Sequence, residues 1–285
     1  MARVQSPTVR RRRLGQELRE LREASRLTID EVAQRLEVSP AKISRIETGR
    51  VSVRPRDVSD LLDQYEIHGM HRDNLLILSR EARQQGWWHS YSDVLSEGTD
   101  IWVGLETEAE VIRLYQIQVI PGLLQTSEYA SASLRAHYRS ESPEQIERRV
   151  KLRMARQDLV IGQNKTSIWA VLDEAVLRRR MGPPEVMQSQ YQRLLKFAEE
   201  NNITIQVLRL DTAVFTGVPA GFAIMRLPSP DPEVVVIEHG AGVLYLEQSQ
   251  DVTAHADLFD RLIATATGPE ESLSYISNLA KLNVE

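Results

Sequence analysis

Between residues 39 and 50 the chain reads Ser-Pro-Ala-Lys-Ile-Ser-Arg-Ile-Glu-Thr-Gly-Arg, small and basic side chains interleaved with two isoleucines. On a helix, Ile43 and Ile46 share one side and leave Ala41, Lys42, Ser44 and Arg45 on the other. Small residues let a helix lie close to a surface, and serine and arginine then hydrogen-bond to what that surface displays. The arginine fork matches guanine O6 and N7, so Arg45 is a candidate base reader in a major groove. Lys42 and Arg50 suit phosphates. Arg11, Arg12 and Arg13, in the run Arg10 to Arg13, suit a DNA backbone or a minor groove. Thr28 opens the preceding helix, whose N-terminal N–H groups favour a phosphate. Together Arg11, Arg12, Arg13, Thr28, Ser39, Pro40, Ala41, Lys42, Ser44, Arg45 and Arg50 form a candidate interface for double-stranded DNA.

Other constellations have plainer readings beside the functional ones. Arg149, Arg153 and Arg156 fall on one helix face at four- and three-residue steps, with Glu106, Glu108 and Glu174 as candidate counter-charges. Arginine forks bind carboxylate and phosphate well, so this face is a candidate site for an anion or an acidic partner. Ion pairs that tie helices together are the favoured alternative. Trp87 and Trp88 either line a ligand pocket or pack at a domain boundary. Pro121-Gly122-Leu-Leu-Gln-Thr126 is a helix stop and start, with a binding loop as the alternative.

Enzyme chemistry finds little to rest on. The histidines, His68, His71, His89, His137, His239 and His255, form no recognisable metal spacing, and His68 and His71 read as exposed loop residues around Gly69. Gly240-x-Gly242 is a lone turn signal. No nucleophile elbow is present, and with no cysteine there is no thiolate nucleophile or thiolate metal site. No catalytic residue, metal ligand or cofactor is expected.

The elements that position the basic residues follow from local signals. Leu14, Leu18 and Leu21 form the apolar stripe of a first helix from about Arg11 to Ser25, preceded by a mobile arm over 1–9. Thr28-Ile-Asp-Glu31 is a capping box, and Val32, Ala33 and Leu36 bury the second helix. After a very short turn, Ser39 is an N-cap and Pro40 takes the first position of the third helix, which Gly49 ends. Pro55 opens a fourth, with Val58, Leu61, Leu62 and Tyr65 as its stripe.

The chain has 285 residues, 42% of them hydrophobic and 26% charged, so a soluble protein of about two domains is expected. Net charge is −5, which by itself points away from nucleic acid. The distribution along the chain points the other way. Residues 1–80 hold 16 Lys+Arg against 12 Asp+Glu, while residues 81–285 hold 19 against 28. A basic head precedes an acidic body. No apolar run approaches the ~20 residues that span a bilayer, and no secretory signal is present, so a cytoplasmic location with no membrane association is expected.

Residues 1–84 are expected to form an arm plus a helical DNA-binding domain, 85–100 a boundary segment, and 101–285 an α+β domain that senses or dimerises. From 100 to 160 the pattern is helical, with Trp102, Leu105, Ala109, Ile112 and Tyr115 at three- and four-residue steps. Strands are expected at 166–172, 203–208, 221–227, 233–238 and 243–247. Helices follow Asp173, span 184–201, and close the chain at 249–266 and 269–282. The fold class is therefore α+β: an all-α helix-turn-helix bundle, then a larger mixed domain with helices around a small sheet of about five strands.

Leu14-Gly15-x-x-Leu18-Arg19-x-Leu21-Arg22, Leu27-Thr28, Val32-Ala33 and Val38-Ser39-Pro40-x-x-Ile43-Ser44-Arg45-Ile46-Glu47-x-Gly49 closely resemble the Cro/repressor (XRE) helix-turn-helix family. Ile29 departs from it, since many members carry glutamine there. The resemblance continues through Gly86-Trp87-Trp88, Leu105-Glu106-x-Glu108-Ala109, Val119-Ile-Pro-Gly-Leu-Leu-Gln-Thr126-x-x-Tyr129-Ala130, Arg153-x-x-Arg156-Gln157 and Leu172-Asp173-Glu174-x-x-Leu177-Arg178. These look like the actinobacterial WhiJ-like regulators, whose C-terminal domain has no assigned chemistry. That resemblance implies a transcription regulator with a small BldB-type protein as partner. The expectation is a DNA-binding regulator acting on a double-stranded operator as a homodimer, with a small-molecule-sensing repressor and an antitoxin-like component as alternatives.

Overall fold

In the computed structural model, Pro7–Ala24 form helix α1, with Leu14 and Leu18 buried and Leu21 half-buried along one stripe and Val9 buried on another side. The structure describes residues 7–96, 98–163, 166–200, 202–212, 220–228, 233–239 and 242–282. Residues 1–6 of the expected arm and Gly240 and Ala241 of the expected turn lie outside these. The chain divides into two compact units, 1–90 with 100–108, and 91–99 with 109–285.

In the first unit α1 begins at Pro7, not near Arg11, so the last residues of the expected arm are helical. Thr8 and Val9 are buried, and Thr8 packs on Gly104 of α6 (Thr99–Glu108), where a Cβ would stand 2.5 Å from Thr8 Oγ1. Helices α2 (Ile29–Arg35), α3 (Pro40–Glu47), α4 (Pro55–Gln64) and α5 (Gly69–Glu81) close around Leu14, Leu18, Val32, Ile43, Ile46, Val58, Leu61 and Leu62. Residues 85–100 are shared between the two units, and α6, which follows them, packs with the first. His71 lies on α5, not in a loop, because Gly69 takes φ 64° and starts the helix.

Four successive helices stop in the same way. Arg26, Glu37, Gly49 and Glu66 adopt left-handed backbone at φ 56°, 53°, 64° and 57°. In each case the next N–H reaches back across the last turn: Leu27 to Arg22 O, Val38 to Ala33 O, Arg50 to Arg45 O and Ile67 to Leu62 O, at 2.9–3.1 Å. This double-bonded ending satisfies carbonyls the helix leaves open. Three of the four positions hold a residue with a side chain, so these chain reversals are fixed by packing more than by glycine.

The second unit is built on a six-stranded sheet in the order β3-β2-β1-β4-β5-β6, with β1 (Val111–Gln116), β2 (Ser167–Asp173) and β3 (Ile203–Leu208) parallel. Strands β4 (Phe222–Arg226), β5 (Val234–His239) and β6 (Gly242–Leu246) continue it antiparallel. The expected helix over 109–116 is corrected: this segment is β1, a central strand between β2 and β4, and it adds a sixth strand to the five expected. Its spacing fits a helical stripe, but Val111, Ile112 and Tyr115 favour a pleated surface and both edges are paired. A short local pattern yields to those pairings.

Helices α7 (Ser127–His137), α8 (Pro143–Gln157), α9 (Glu174–Arg178), α10 (Pro184–Ala198), α11 (Ser249–Thr265) and α12 (Pro269–Leu282) surround the sheet. Phe259 and Leu262 of α11 cover one face, against Tyr115, Val171, Leu208, Phe222, Ile224 and Val235. No helix among the described residues is long and apolar enough to cross a membrane.

Candidate nucleic-acid interface

Helix α2 starts on the capping box: Glu31 N–H donates to Thr28 Oγ1 at 3.2 Å, and Thr28 N–H donates to Glu31 Oε2 at 2.7 Å. The backbone bond from Thr28 holds the Glu31 carboxyl below its usual range, with help from the Thr28 hydroxyl. Glu37 then turns the chain through left-handed space, and four residues after α2 the next helix begins. Ser39 Oγ accepts from Lys42 N–H at 3.2 Å, and Pro40 occupies the first turn.

Helix α3 buries Ile43 and Ile46 and leaves Ser39, Pro40, Ala41 and Arg45 exposed, with Lys42 and Ser44 half-exposed. Arg45 Nε donates to Ala41 O at 3.2 Å, so its guanidinium stands along the outer face. Lys42 Nζ lies 3.6 Å from Asp57, a pairing within the unit that partly engages its charge. Thr28 and Arg50 are exposed. Arg11, Arg12 and Arg13 are half-buried in α1, and Arg11 Nη2 reaches Thr8 Oγ1 at 3.2 Å and Asp100 at 3.5 Å. The arginine run is thus part of a packed helix.

The close contacts that aim α3 are ones that sequence reasoning does not supply, although it reads Gly49 as the end of that helix. Gly15 of α1 lies under the C-terminal turn of α3, where a Cβ would stand 2.5 Å from both Ile46 O and Glu47 O. At Gly49 a Cβ would stand 2.7 Å from Arg12 Cα. Glu47 is buried, and it accepts two bonds from Arg22: Nε to Oε1 at 2.7 Å and Nη2 to Oε2 at 3.0 Å. Arg22 Nη1 also donates to Leu27 O at 2.8 Å. The bond to Glu47 is the main cause that raises the Arg22 guanidinium above its usual value, against its burial. Burial, then the Glu47 charge, pushes the Tyr65 phenol up. The one signal of this pair in the sequence is that Arg22 and Glu47 both fall inside the helix-turn-helix motif.

In the second unit Arg149 and Arg153 are engaged by neighbouring side chains and backbone. Arg149 is bonded to both Glu141 oxygens, at 2.7 and 2.6 Å, and to Val94 O, and it stacks 3.8 Å over the Tyr138 ring. Arg153 Nη1 donates to Gln125 Oε1 at 2.6 Å, and Arg156 is half-buried. Glu174, one expected counter-charge, instead accepts from Tyr275 OH at 2.7 Å, Leu210 N–H at 3.0 Å, Arg178 and Arg209. Trp102 Nε1 donates to Glu106 at 2.6 Å.

The loop Pro121 to Thr126 is pinned by buried glutamines. Gln157 Nε2 donates to Gly122 O and Gln125 O, Gln125 Nε2 to Ile120 O, and Gln190 Nε2 to Leu124 O, all at 2.6–2.9 Å. Trp88 is buried; Trp87 crosses it edge-on at 6.0 Å and donates to Thr107 Oγ1 at 3.2 Å. Among the described residues no three His, Asp or Glu side chains cluster as metal ligands would.

Two short helices joined by a tight turn, the second presenting small and basic residues outward, define a helix-turn-helix DNA-binding protein. A family model described as a helix-turn-helix domain matches residues 13–75. The chain belongs to the family described as Domain of unknown function (DUF5753), whose model matches residues 101–278. No enzyme family is indicated by either match. No curated protein matches the chain, and no solved structure does.

Proposed function

We propose that the protein is a sequence-specific transcription regulator that binds its operator as a homodimer. Residues 1–84 engage the DNA, and residues 101–285 dimerise and receive the regulatory signal. The observation that carries this reading is the outer face of α3, where Ala41, Ser44 and Arg45 stand clear of a core that holds the helix rigidly. Arg45 reads a base edge; Ser39, Pro40 and Ala41 allow close approach. Lys42, Arg50, Thr28 and the α1 arginines 11–13 contact phosphate.

The resemblance to WhiJ-like regulators supports a small BldB-type protein as the signal, with a small-molecule effector as a second source. An acidic body suits contacts with protein or ligand, since it repels the DNA phosphates that the basic head seeks. Mapping of bound genomic sites, with and without the gene for the small BldB-type protein, tests this directly. Discrete sites whose occupancy changes with that gene support the reading. Occupancy spread without sequence preference overturns it.

A further inference from the structure

Lys42 and Arg45 stand three residues apart on α3, so ammonium and guanidinium are neighbours on one side of the helix. They are held differently. Arg45 bonds to its own helix, through Nε on Ala41 O at 3.2 Å. Lys42 Nζ instead lies 3.6 Å from Asp57 Oδ2, across the cleft between α3 and α4. Asp60, one turn further along α4, lines the same cleft, whose floor holds Ile43 and Leu61. Two carboxylates thus border one ammonium, beside the surface proposed to meet DNA.

Stability does not account for this pair. The lysine side chain is 41% exposed and the aspartate side chain 34%, and ion pairs so exposed contribute little. The dipole of α4 favours a carboxylate in its first turn, but only weakly where water and salt screen it. Against DNA the same carboxylate is unfavourable, because it repels phosphate and occupies a cation that would bind one. Its placement calls for an explanation in binding.

We propose that Asp57 is a specificity-determining positioning residue: it holds the Lys42 ammonium at one place beside Arg45, ready for a single operator phosphate, and offsets its charge toward all other DNA. The inference rests on the reading that the outer face of α3 binds the operator. The two kinds of complex use charge differently. Non-specific binding is supplied by charge, whatever its exact placement. Operator binding also needs phosphate contacts in the right place, since they set the register in which side chains meet base edges. A lysine ammonium carries three donors on a flexible four-carbon stem. Tethered to Asp57, it keeps donors for a phosphate and loses little further freedom when that phosphate arrives. Untethered, it reaches phosphates in many registers and competes with Arg45 for guanine. Asp57 therefore lowers affinity for random DNA more than for the operator.

The test measures full-length wild type, Asp57→Asn and Asp57→Glu on a duplex selected from a randomised pool and on a scrambled duplex, across a range of salt. Asparagine keeps the shape and removes the charge; glutamate keeps the charge. Asp57→Asn is expected to bind the scrambled duplex about three- to tenfold more tightly at low salt, with a salt slope steeper by about one. Its affinity for the selected duplex is expected to stay within about twofold of wild type, because lost positioning offsets the lost repulsion, so the ratio of the two affinities falls. Asp57→Glu is expected to keep the wild-type ratio, and Asp57→Ser, a second charge-removing variant suited to a helix start, to behave as Asp57→Asn. In a Lys42→Ala background, Asp57→Asn is expected to leave the ratio unchanged, which separates a role exerted through Lys42 from plain repulsion of phosphate. A ratio that Asp57→Asn and Asp57→Ser leave unchanged, that Asp57→Glu lowers as far, or that falls equally without Lys42 overturns the role of Asp57 and leaves the α3 reading standing. A wild type that selects no sequence from the pool overturns both.

Discussion

The Arg22 guanidinium and the Glu47 carboxylate meet in a buried two-bond ion pair that ties α1 to the last turn of the exposed helix α3. The two residues are 25 positions apart, and their contact fixes how the outer face of α3 is aimed. A buried pair of this kind is costly to break from one side, since the survivor keeps its charge without its partner.

Arg22→Met is therefore expected to destabilise the first unit by about 3–5 kcal/mol, and Arg22→Met with Glu47→Leu to recover most of that loss. Urea denaturation of the three proteins checks it. Equal losses in the single and double variants would show that the pair is not what holds the two helices.

Gly15 and Gly49 set the closeness of α1 and α3. Gly15→Ala places a Cβ against two backbone carbonyls at 2.5 Å, which cannot yield as a flexible side chain would. A loss of about 1–3 kcal/mol is expected, together with weaker DNA binding because α3 shifts. Gly49→Ala adds left-handed strain at φ 64° to its own clash with Arg12. Glu37→Gly, at φ 53° in an exposed turn, is expected to be neutral or mildly stabilising. Thermal melts of all three variants separate these outcomes.

Glu174 sets an acid limit for the second unit. Burial pushes its carboxyl up, but the Leu210 N–H, the Tyr275 hydroxyl, Arg178 and Arg209 outweigh burial, and the net position is below the usual carboxylate range. A depressed carboxyl contributes stability in full above its unfolded value of about 4.3, and that contribution is lost as pH falls through the lower folded value. Urea midpoints are thus expected to fall from about pH 4 downward, and Glu174→Gln to flatten that fall. A Glu174→Gln profile parallel to wild type would contradict the assignment.

Gln157 holds the loop after β1 through one amide and two carbonyls. Gln157→Leu leaves Gly122 O and Gln125 O without that donor, at a cost of about 1–3 kcal/mol. Limited proteolysis is expected to cut near residues 120–126 sooner in the variant.

The DNA-binding head is largely legible in the sequence because its signals are local. Thr28 with Glu31, and Ser39 with Pro40, mark helix starts within four residues, and the apolar steps of Leu14, Leu18, Ile43 and Ile46 declare buried faces. What stays hidden depends on distance. The Arg22–Glu47 pair, the bonds from Gln157 to the loop after Pro121 and the Tyr275 hydroxyl on Glu174 join residues 25 to 101 apart, and spacing along the chain carries no sign of them. Strand β1 is hidden for a related reason: its six residues fit a helical stripe, and only pairing with β2 and β4 makes them a strand.

The most direct measurement is the affinity and sequence preference of Arg45→Ala on the duplexes that the wild type selects from a randomised pool, with Arg50→Ala beside it. Arg45→Ala is expected to lose about 1–3 kcal/mol on the selected site and to relax preference at one base pair of each half-site. Arg50→Ala is expected to weaken all sequences alike and to lower the salt slope by about one. Unchanged affinity and unchanged preference in Arg45→Ala would contradict the central claim that the outer face of α3 reads the operator.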